Sequence, residues 1–322
     1  MYLDVNSSIL DFEMCLNTLE FLDLNQERIL SIEKPGEGNM NVVLRIRTNT
    51  RSFIVKQSRP FVQKYQDITA PIERIDVEFQ FYKAVTNKVI APHIPKILAY
   101  NADNYLLILE DLGDCKDMSY LYDDKTLDSS QLHELIDIAV EIHKSKPTAY
   151  PENMDLRLLN HQHIFVLPFL KDSDFHLDTI QNGLQELALI YRNDTPLKTE
   201  IAKVGEQYLS KGDTLLHGDY YPGSWMTKEK HTYVIDPEFS FMGFAEFDIG
   251  VMAAHTIIIT MNIDCLETIK NRYPKFLNGN LLAKVAGIEI MRRLIGLAQL
   301  PLKRSIEEKK LLLKMARTLI LK

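Results

Sequence analysis

Residues 217–239 read HGDYYPGSWMTKEKHTYVIDPEF, and this stretch decides how the whole chain is interpreted. Two short apolar runs, TLL before His217 and TYVI before Asp236, predict strands that end where the polar residues begin. We expect the two strands to form a tight hairpin, and strand ends on a tight hairpin point their side chains into one crevice. The side chains that we expect to converge there are those of His217, Asp219, Ser224, Asp236 and Glu238.

Three carboxylates and one hydroxyl in one crevice form an oxygen-only site, which is the coordination that Mg²⁺ prefers. Phosphoryl transfer uses such a site, because a metal ion bridges the phosphates while one carboxylate orients the attacking hydroxyl. Each acid taken alone also fits a solvated turn residue, since most acids are exposed. The ordered set H-x-D, Ser224 and a strand ending in D-x-E favours the functional interpretation.

A glycine-containing turn, GEGNMN, lies between two predicted strands. Glycine lets the backbone approach a phosphate and frees N–H groups for the phosphate oxygens. The same turn also fits a plain β-hairpin, in which Gly-Asn is favoured. Taken alone, the turn favours the hairpin interpretation. The residues that would serve nucleotide binding are Gly36, Gly38, Asn39 and Asn41.

Lys56 stands at the end of the apolar run FIVK. A lysine on such a strand can reach the α- and β-phosphates and pair with a helix carboxylate. The helix predicted over residues 71–85 offers two partners, Glu78, which we favour, and Glu73. Both also fit exposed helix charges.

The coarse pattern is strand-rich up to residue 112 and mainly helical beyond it. It predicts an α+β fold with a small N-terminal antiparallel-sheet lobe, residues 1–112, and a larger helical C-terminal lobe, residues 113–322. The helices are expected over residues 7–24, 71–85, 129–143, 178–190, 196–209, 247–261, 266–273 and 281–298. The charged run KRSIEEKK is interpreted as a solvated helix face.

The 322 residues carry 44 acidic side chains against 37 Lys and Arg, a net charge of −7. Without a concentrated basic block, we expect no nucleic-acid partner. Three cysteines without CxxC spacing predict neither a disulfide framework nor a zinc site. The most apolar stretch, residues 249–261, is too short for a bilayer, which takes about 20 apolar residues. We expect a cytoplasmic protein with no membrane partner, and leave a homodimer open.

The motifs together resemble those of the protein-kinase-like small-molecule phosphotransferases, a group that includes choline kinases and aminoglycoside phosphotransferases. Within it, the chain is most similar to the methylthioribose kinase family, which has a similar glycine loop, a serine after H-G-D and D-P-E-F in place of D-F-G. A late R-R-x-x-G-x-A-H-like motif of that family corresponds here to RRLIGLAQ. The motifs that carry the resemblance are GEGNMN, VKQ, IERIxVE, HGDxxxGS, DPEF and FDIG.

For the catalytic segment, the resemblance implies a role at each matched position. Asp219 is the implied catalytic carboxylate, which orients or accepts the proton of the substrate hydroxyl. Asp236 and Glu238 are the implied Mg²⁺ ligands, with Ser224 as an auxiliary ligand. Asp248 of FDIG is expected to brace the catalytic loop rather than to react.

The resemblance also implies ATP as the nucleotide, although a preference over GTP is left open. Lys56 would hold the ATP phosphates, and Glu78 would fix Lys56. The segment from Glu110 to Leu112 resembles the hinge whose backbone meets adenine. The two lobes are then an ATP-binding lobe and a catalytic, substrate-binding lobe.

The residues expected to bind the phosphoryl acceptor match the family less well. Tyr220 and Tyr221 replace the usual Leu-His after H-G-D, and Gln299 replaces the histidine of the R-R-x-x-G-x-A-H motif. Adjacent residues on a helix point about 100° apart, so Arg292 and Arg293 need not face one pocket. A cationic helix surface is the simple alternative. The resemblance implies that at least one faces the cleft, and we assign both, with Tyr221, to substrate binding.

His161 and His163, in LNHQHIF, have a spacing that can chelate a metal ion. Neither a cysteine nor a third histidine lies at a convincing spacing, and histidine ligands normally come in closed sets. We interpret both as structural or substrate-lining residues.

We therefore expect an ATP-dependent kinase that transfers the γ-phosphoryl group to a hydroxyl of a small metabolite, most simply a methylthioribose-like sugar. The alternatives are a kinase of the choline/ethanolamine, homoserine or aminoglycoside type, and a nucleotide-binding pseudokinase. Two arginines count against a cationic acceptor, which would want acids and aromatic faces. The central groups Lys56, Asp219 and Asp236 are all present, which counts against a pseudokinase.

Overall fold

The computed structural model describes residues 2–36, 40–85, 87–172, 175–229 and 231–322. Gly38 and Asn39 of the glycine-containing turn lie outside this part of the chain. The expected α+β architecture is confirmed, with an antiparallel sheet first and a mainly helical region after it. The boundary at residue 112 stays a prediction.

The N-terminal lobe is built on a five-stranded sheet with an adjoining hairpin. Its strands are β1 (Ile29–Glu33), β2 (Val42–Thr48), β3 (Ser52–Gln57), β4 (Phe61–Val62), β5 (Tyr65–Thr69), β6 (Ile97–Asn101) and β7 (Leu106–Glu110). The sheet order is β1-β2-β3-β7-β6, and β4 pairs with β5 separately. Lys56 of the central strand β3 lies opposite Val43 of β2 and Leu107 of β7. Pairing with both neighbouring strands therefore fixes the position of Lys56 in the sheet.

The first helix is shorter than predicted, because α1 spans Ile9–Thr18 rather than residues 7–24. Ser8 and Asp11 form a capping box at its start. Glu20 has a left-handed backbone with φ 54°, which does not continue a helix. The apolar Leu22 beyond this turn packs into the sheet core instead of extending the helix.

Helices make up most of the remaining chain. They are α2 (Arg74–Ala84), α3 (Leu121–Asp124), α4 (Ser129–Lys144), α5 (Met154–His161), α6 (Leu184–Arg192), α7 (Thr195–Leu209), α8 (Ala245–Thr260), α9 (Cys265–Arg272), α10 (Gly279–Ile295) and α11 (Ile306–Leu321). The sequence predicted neither α3 nor α5. The helix expected over residues 178–190 starts only after Gly183, whose backbone is left-handed with φ 83°.

The last helix, α11, corrects the interpretation of KRSIEEKK as a solvated face. Lys309 within that run is 4% exposed, and Leu312 and Leu313 after it are fully buried. Leu312 and Leu313 belong to the same core cluster as buried apolar residues of α8 and α10. A helix that buries one stripe this way is part of the fold rather than a polar appendage.

Two small sheets carry the predicted site segment. Their strands are β8 (Lys116–Asp117), β9 (Thr214–Leu216), β10 (Trp225–Lys228), β11 (His231–Val234) and β12 (Phe241–Gly243). The TLL and TYVI strands do not form one unit, because β9 pairs with β12 whereas β11 pairs with β10. Asp219 after β9 and Asp236 and Glu238 after β11 nonetheless line one cavity, whereas His217 is fully buried. Across the described ranges, no helix has the length and apolar character needed to cross a membrane.

Candidate active site

Two carboxylates from different parts of the chain hold Lys56. Its Nζ atom lies 2.7 Å from both carboxylate oxygens of Glu78 on α2 and 2.6 Å from Oδ1 of Asp236. Burial opposes the charge of Lys56, but Asp236, Glu78 and Glu238 outweigh it and raise the pKa of Lys56 above its ordinary value. Glu73, the other partner considered, lies exposed at the start of α2.

Glu238 is 6% exposed, and two side chains partner its carboxylate. Asn41 Nδ2 donates to Oε2 at 2.8 Å, and Arg74 Nε lies 3.4 Å from the same oxygen. Burial raises the pKa of Glu238 to about 7, although Arg74 and Lys56 pull it down. Arg74 also donates to the carbonyl oxygen of Met40 at 2.7 Å, so this buried arginine links the glycine-containing turn to the DPEF segment.

Backbone hydrogen bonds fix the loop that follows β9. The N–H groups of His217 and Gly218 donate to the carboxylate of Asp248 at 2.7 Å and 3.0 Å. Gly218 has φ 87°, and a Cβ atom there would lie 2.1 Å from the carbonyl oxygen of Phe239. Glycine is therefore required at this turn. Asp248 therefore braces this loop, as expected from the sequence. Asp219 follows Gly218 on the same loop.

Asp219 lies beside the arginines of α10. Arg293 Nη2 lies 3.4 Å from Asp219 Oδ1, and the Arg293 guanidinium lies 4.5 Å from the centroid of the Tyr221 ring. Burial raises the pKa of Asp219, and the charges of Arg293 and Arg292 oppose that shift. Both arginines, although adjacent on the helix, line the same cavity.

This cavity has a volume of about 640 Å³. Nine predicted residues line it: Asn41, Lys56, Asp219, Tyr221, Ser224, Asp236, Glu238, Arg292 and Arg293. Glu78 contacts Lys56 and is itself fully buried. Gly36, Glu110 and Leu112 are not among the lining residues. Glu110 pairs with Lys96 at 3.1 Å, and an adenine contact at Glu110 to Leu112 stays a prediction.

A model of the phosphotransferase enzyme family matches residues 31–276 of the chain. The chain belongs to this family. It is similar to a methylthioribose kinase of Exiguobacterium sibiricum, with 30% identity over 239 residues that cover 70% of this chain and 60% of that relative. Methylthioribose kinase 1 of Oryza sativa subsp. japonica is 26% identical over 260 residues, covering 73% of this chain and 57% of the relative. The chain thus spans less than two thirds of the length of these relatives.

A solved structure of low sequence identity shows the same fold as this chain. The crystal structure of LicA in complex with AMP superposes with a TM-score of 0.55 at 12% identity, covering 97% of this chain and 100% of that chain. The two-lobed, protein-kinase-like fold expected from the motifs is therefore confirmed.

The cavity lining includes residues beyond those assigned to the site from the sequence. Helix α5 continues into a π-helical turn (Gln162–Val166), a feature often found at functional sites. Of the two histidines interpreted as structural or substrate-lining, His163 lies in this turn and lines the cavity, whereas His161 does not line it. Burial lowers the pKa of His163, and Arg292 adds to that shift. Lys64 lines the cavity as well, from the β4–β5 hairpin, an element that the strand patterns did not predict.

The oxygen donors of the cavity fit a hard divalent cation. The side chain of Asp236 is 45% exposed, and its backbone lies in the left-handed region with φ 62°, which is costly for a residue with a side chain. Glu238 and Ser224 line the same cavity. Carboxylate and hydroxyl oxygens are the ligands that Mg²⁺ prefers.

A second group of ligand-type side chains, His93, Glu134 and His231, lies outside the cavity, with candidate ligand atoms within 4.8 Å of one another. The two imidazole rings stack at 12° with centroids 4.8 Å apart, so one ion cannot lie close to both ring planes. Nδ1 of His93, which lies 3.9 Å from Glu134, is already 2.8 Å from the carbonyl oxygen of Thr232. The group therefore fits a packing contact rather than a metal site.

Proposed function

We propose that this phosphotransferase is an ATP- and Mg²⁺-dependent kinase that phosphorylates a hydroxyl of a small metabolite, most simply a methylthioribose-like sugar. The observation that carries the proposal is that Lys56 and Asp219 line one cavity together with two arginines. Phosphoryl transfer needs fixed phosphates on one side and an oriented hydroxyl on the other. The names of the methylthioribose kinase relatives, and the AMP bound by LicA, support the same assignment.

On the nucleotide side, Lys56 would hold the ATP phosphates. Glu78 fixes its ammonium group in advance, so little reorganisation is needed when an anionic phosphate arrives. Asp236, Glu238 and Ser224 would hold Mg²⁺, which supplies charge neutralisation at the phosphates when it is bound. The glycine-containing turn would contribute backbone N–H groups to the ATP phosphates, from Gly36, Gly38 and Asn39.

On the acceptor side, Asp219 would accept a hydrogen bond from the substrate hydroxyl and take its proton during transfer. Burial raises the pKa of Asp219, which makes its carboxylate a stronger base than an exposed aspartate. The loop braced by Asp248 fixes the direction of this carboxylate before substrate binds.

The lining of the cavity favours a neutral, partly apolar acceptor. Arg292 and Arg293 can donate to sugar hydroxyls, and they repel a quaternary ammonium or an aminoglycoside. Three leucines of the same cavity can contact a methylthio group: Leu159, Leu297 and Leu300. A choline, ethanolamine, homoserine or aminoglycoside kinase is the alternative that this lining disfavours.

The test is Mg²⁺-dependent release of ADP from ATP with methylthioribose, ribose, choline, homoserine and kanamycin as separate acceptors. We expect methylthioribose to stimulate ADP release most strongly. If only a cationic alcohol were phosphorylated, the acceptor assignment would be wrong. If ATP bound but no acceptor were phosphorylated, a pseudokinase would be favoured instead.

A further inference from the structure

Glu289 on α10 is a buried carboxylate that none of the predicted roles uses. It is 1% exposed and lies one helical turn before the two cavity arginines. Its Oε2 accepts from Arg292 Nη1 at 3.0 Å, and its Oε1 accepts from Arg293 Nε at 2.6 Å. One carboxylate therefore binds both guanidinium groups, Arg292 through the terminal Nη1 and Arg293 through Nε.

This contact explains how two neighbouring arginines reach one cavity. Side chains at successive helix positions point about 100° apart, and two buried cations also repel each other. Glu289 is three residues before Arg292 and four before Arg293, which are the spacings that share a helix face. Its negative charge draws both guanidinium groups to the same side and offsets their repulsion.

Two neutral side chains complete the surroundings of Glu289. His255 Nε2 lies 3.2 Å from Glu289 Oε1, and Tyr122 Oη lies 2.6 Å from His255 Nδ1. With the Tyr122 hydroxyl donating to Nδ1, the other ring nitrogen carries the hydrogen that Glu289 accepts. The carboxylate is thus fully hydrogen-bonded, as a buried charge must be.

The same arrangement also restrains Arg293 with respect to Asp219. The Arg293 Nε atom is 2.6 Å from Glu289, whereas its Nη2 atom is 3.4 Å from Asp219. A close arginine–carboxylate hydrogen bond is about 2.8 Å long, so the contact with Asp219 is a loose one. Arg293 is therefore shared unequally between two carboxylates, and Asp219 keeps capacity for a substrate hydroxyl.

We propose that Glu289 is a positioning residue that presents Arg292 and Arg293 to the acceptor and keeps Arg293 from closing onto Asp219. The proposal rests on the proposed function, because it assigns the acceptor end of that same site. Without the carboxylate, the two arginines lose their common acceptor, and Arg293 moves to the remaining carboxylate, Asp219.

The test compares Glu289→Gln with the wild type on the acceptor that the wild type uses best. Glutamine keeps the shape, but its amide N–H₂ group faces donors, so at least one of Arg292, Arg293 and His255 loses its acceptor. We expect the acceptor KM to rise about 10- to 100-fold and kcat to fall, with the ATP KM nearly unchanged. Glu289→Asp keeps the charge and should recover part of kcat/KM.

Glu200→Gln is the matched control, because Glu200 also binds two cations, Lys203 at 2.7 Å and Lys284 of α10 at 2.6 Å, and is not among the cavity residues. We expect its acceptor and ATP KM values to stay at wild-type levels. Equal losses in both glutamine variants, or an unchanged acceptor KM in Glu289→Gln, would overturn the proposal.

A crystal structure of Glu289→Gln separates this proposal from the proposed function, since it needs no acceptor. We expect the Arg293–Asp219 distance to shorten to that of a closed ion pair and Arg292 to change rotamer. Arginines that stay in place would reject the positioning role, whatever the substrate. A wild type inactive on every acceptor would reject the proposed function. The arginine positions in the Glu289→Gln crystal structure would then still decide whether Glu289 positions Arg292 and Arg293.

Discussion

Oδ1 of Asp236 lies 2.6 Å from Nζ of Lys56, although 180 positions of sequence separate the two residues. The contact joins the central strand of the N-terminal sheet to the DPEF segment, so it crosses between the two halves of the fold. The Lys56 side chain is 4% exposed and that of Asp236 is 45% exposed. The pair is therefore closed on the side of Glu78 and open on the side of the cavity.

Replacing Lys56 tests whether this contact serves both stability and catalysis. In Lys56→Met, Glu78 is left buried without its cation, and breaking a buried pair costs about 3–5 kcal/mol. We expect a lower urea midpoint, and a fall in kcat of about 100-fold or more with a raised ATP KM.

Lys203→Met is the control for that substitution, because the pair of Lys203 with Glu200 is exposed. Exposed pairs contribute about 0–1 kcal/mol, so its unfolding curve should nearly overlay that of the wild type. A Lys56→Met protein with wild-type stability and turnover would contradict the assignment of Lys56.

Within the loop that follows β9, Gly218 should be the glycine least tolerant of a side chain. Gly218→Ala places a Cβ atom 2.1 Å from the carbonyl oxygen of Phe239 at φ 87°, so either the loop or the DPEF segment must move. We expect a loss of at least about 1 kcal/mol in the free energy of unfolding and a strong fall in kcat. Gly36→Ala, where the space for a Cβ atom is open, should unfold at the wild-type urea concentration. Equal stability of the two variants would argue against a strained turn at Gly218.

Acid should destabilise the protein through His255. Burial lowers its pKa to about 4, against an ordinary value of 6.5, so between these pH values the unfolded chain binds a proton that the folded chain does not. The stabilisation is therefore complete above pH 6.5 and is lost as the pH falls, by about 2 kcal/mol between pH 7 and pH 5.

Urea unfolding at pH 7 and pH 5 measures this loss. His255→Gln should be less stable than the wild type at pH 7 but should show a smaller decrease on going to pH 5. His176→Gln, which changes an exposed histidine, should retain the wild-type decrease. A decrease in His255→Gln as large as in the wild type would contradict the argument.

The order of polar residues along the chain predicted much of the site. Five residues were expected to converge because each follows or flanks a short apolar strand, and four of them line one cavity: Asp219, Ser224, Asp236 and Glu238. His217, the fifth, is fully buried, and its Nε2 lies 2.9 Å from the carbonyl oxygen of Ile235. The strand pairing was wrong, since the TLL strand pairs with FMG and the WMTK strand lies beside HTYV. Pairing depends on contacts distant in sequence, which local patterns do not report.

Two charged residues that the sequence analysis missed are buried, and their contacts are seen only in the folded chain. Arg74 looks like an exposed helix charge, yet it is fully buried between Glu238 and the Met40 carbonyl. Glu289 lies in an apolar helix, and its role is seen only from its hydrogen bonds with both arginines in the folded chain. Buried charges break the rule that charged residues are exposed, so their positions follow from their partners rather than from periodicity.

The most direct test of the central claim is the rate of methylthioribose-dependent ADP release by the wild type and by Asp219→Asn. Asparagine keeps the shape of Asp219 but cannot take the hydroxyl proton, so we expect turnover to fall about 100- to 10,000-fold while ATP still binds. Stimulation by methylthioribose that is lost in Asp219→Asn is the predicted result. Equal ADP release by both proteins, or none by the wild type with any acceptor, would contradict the account.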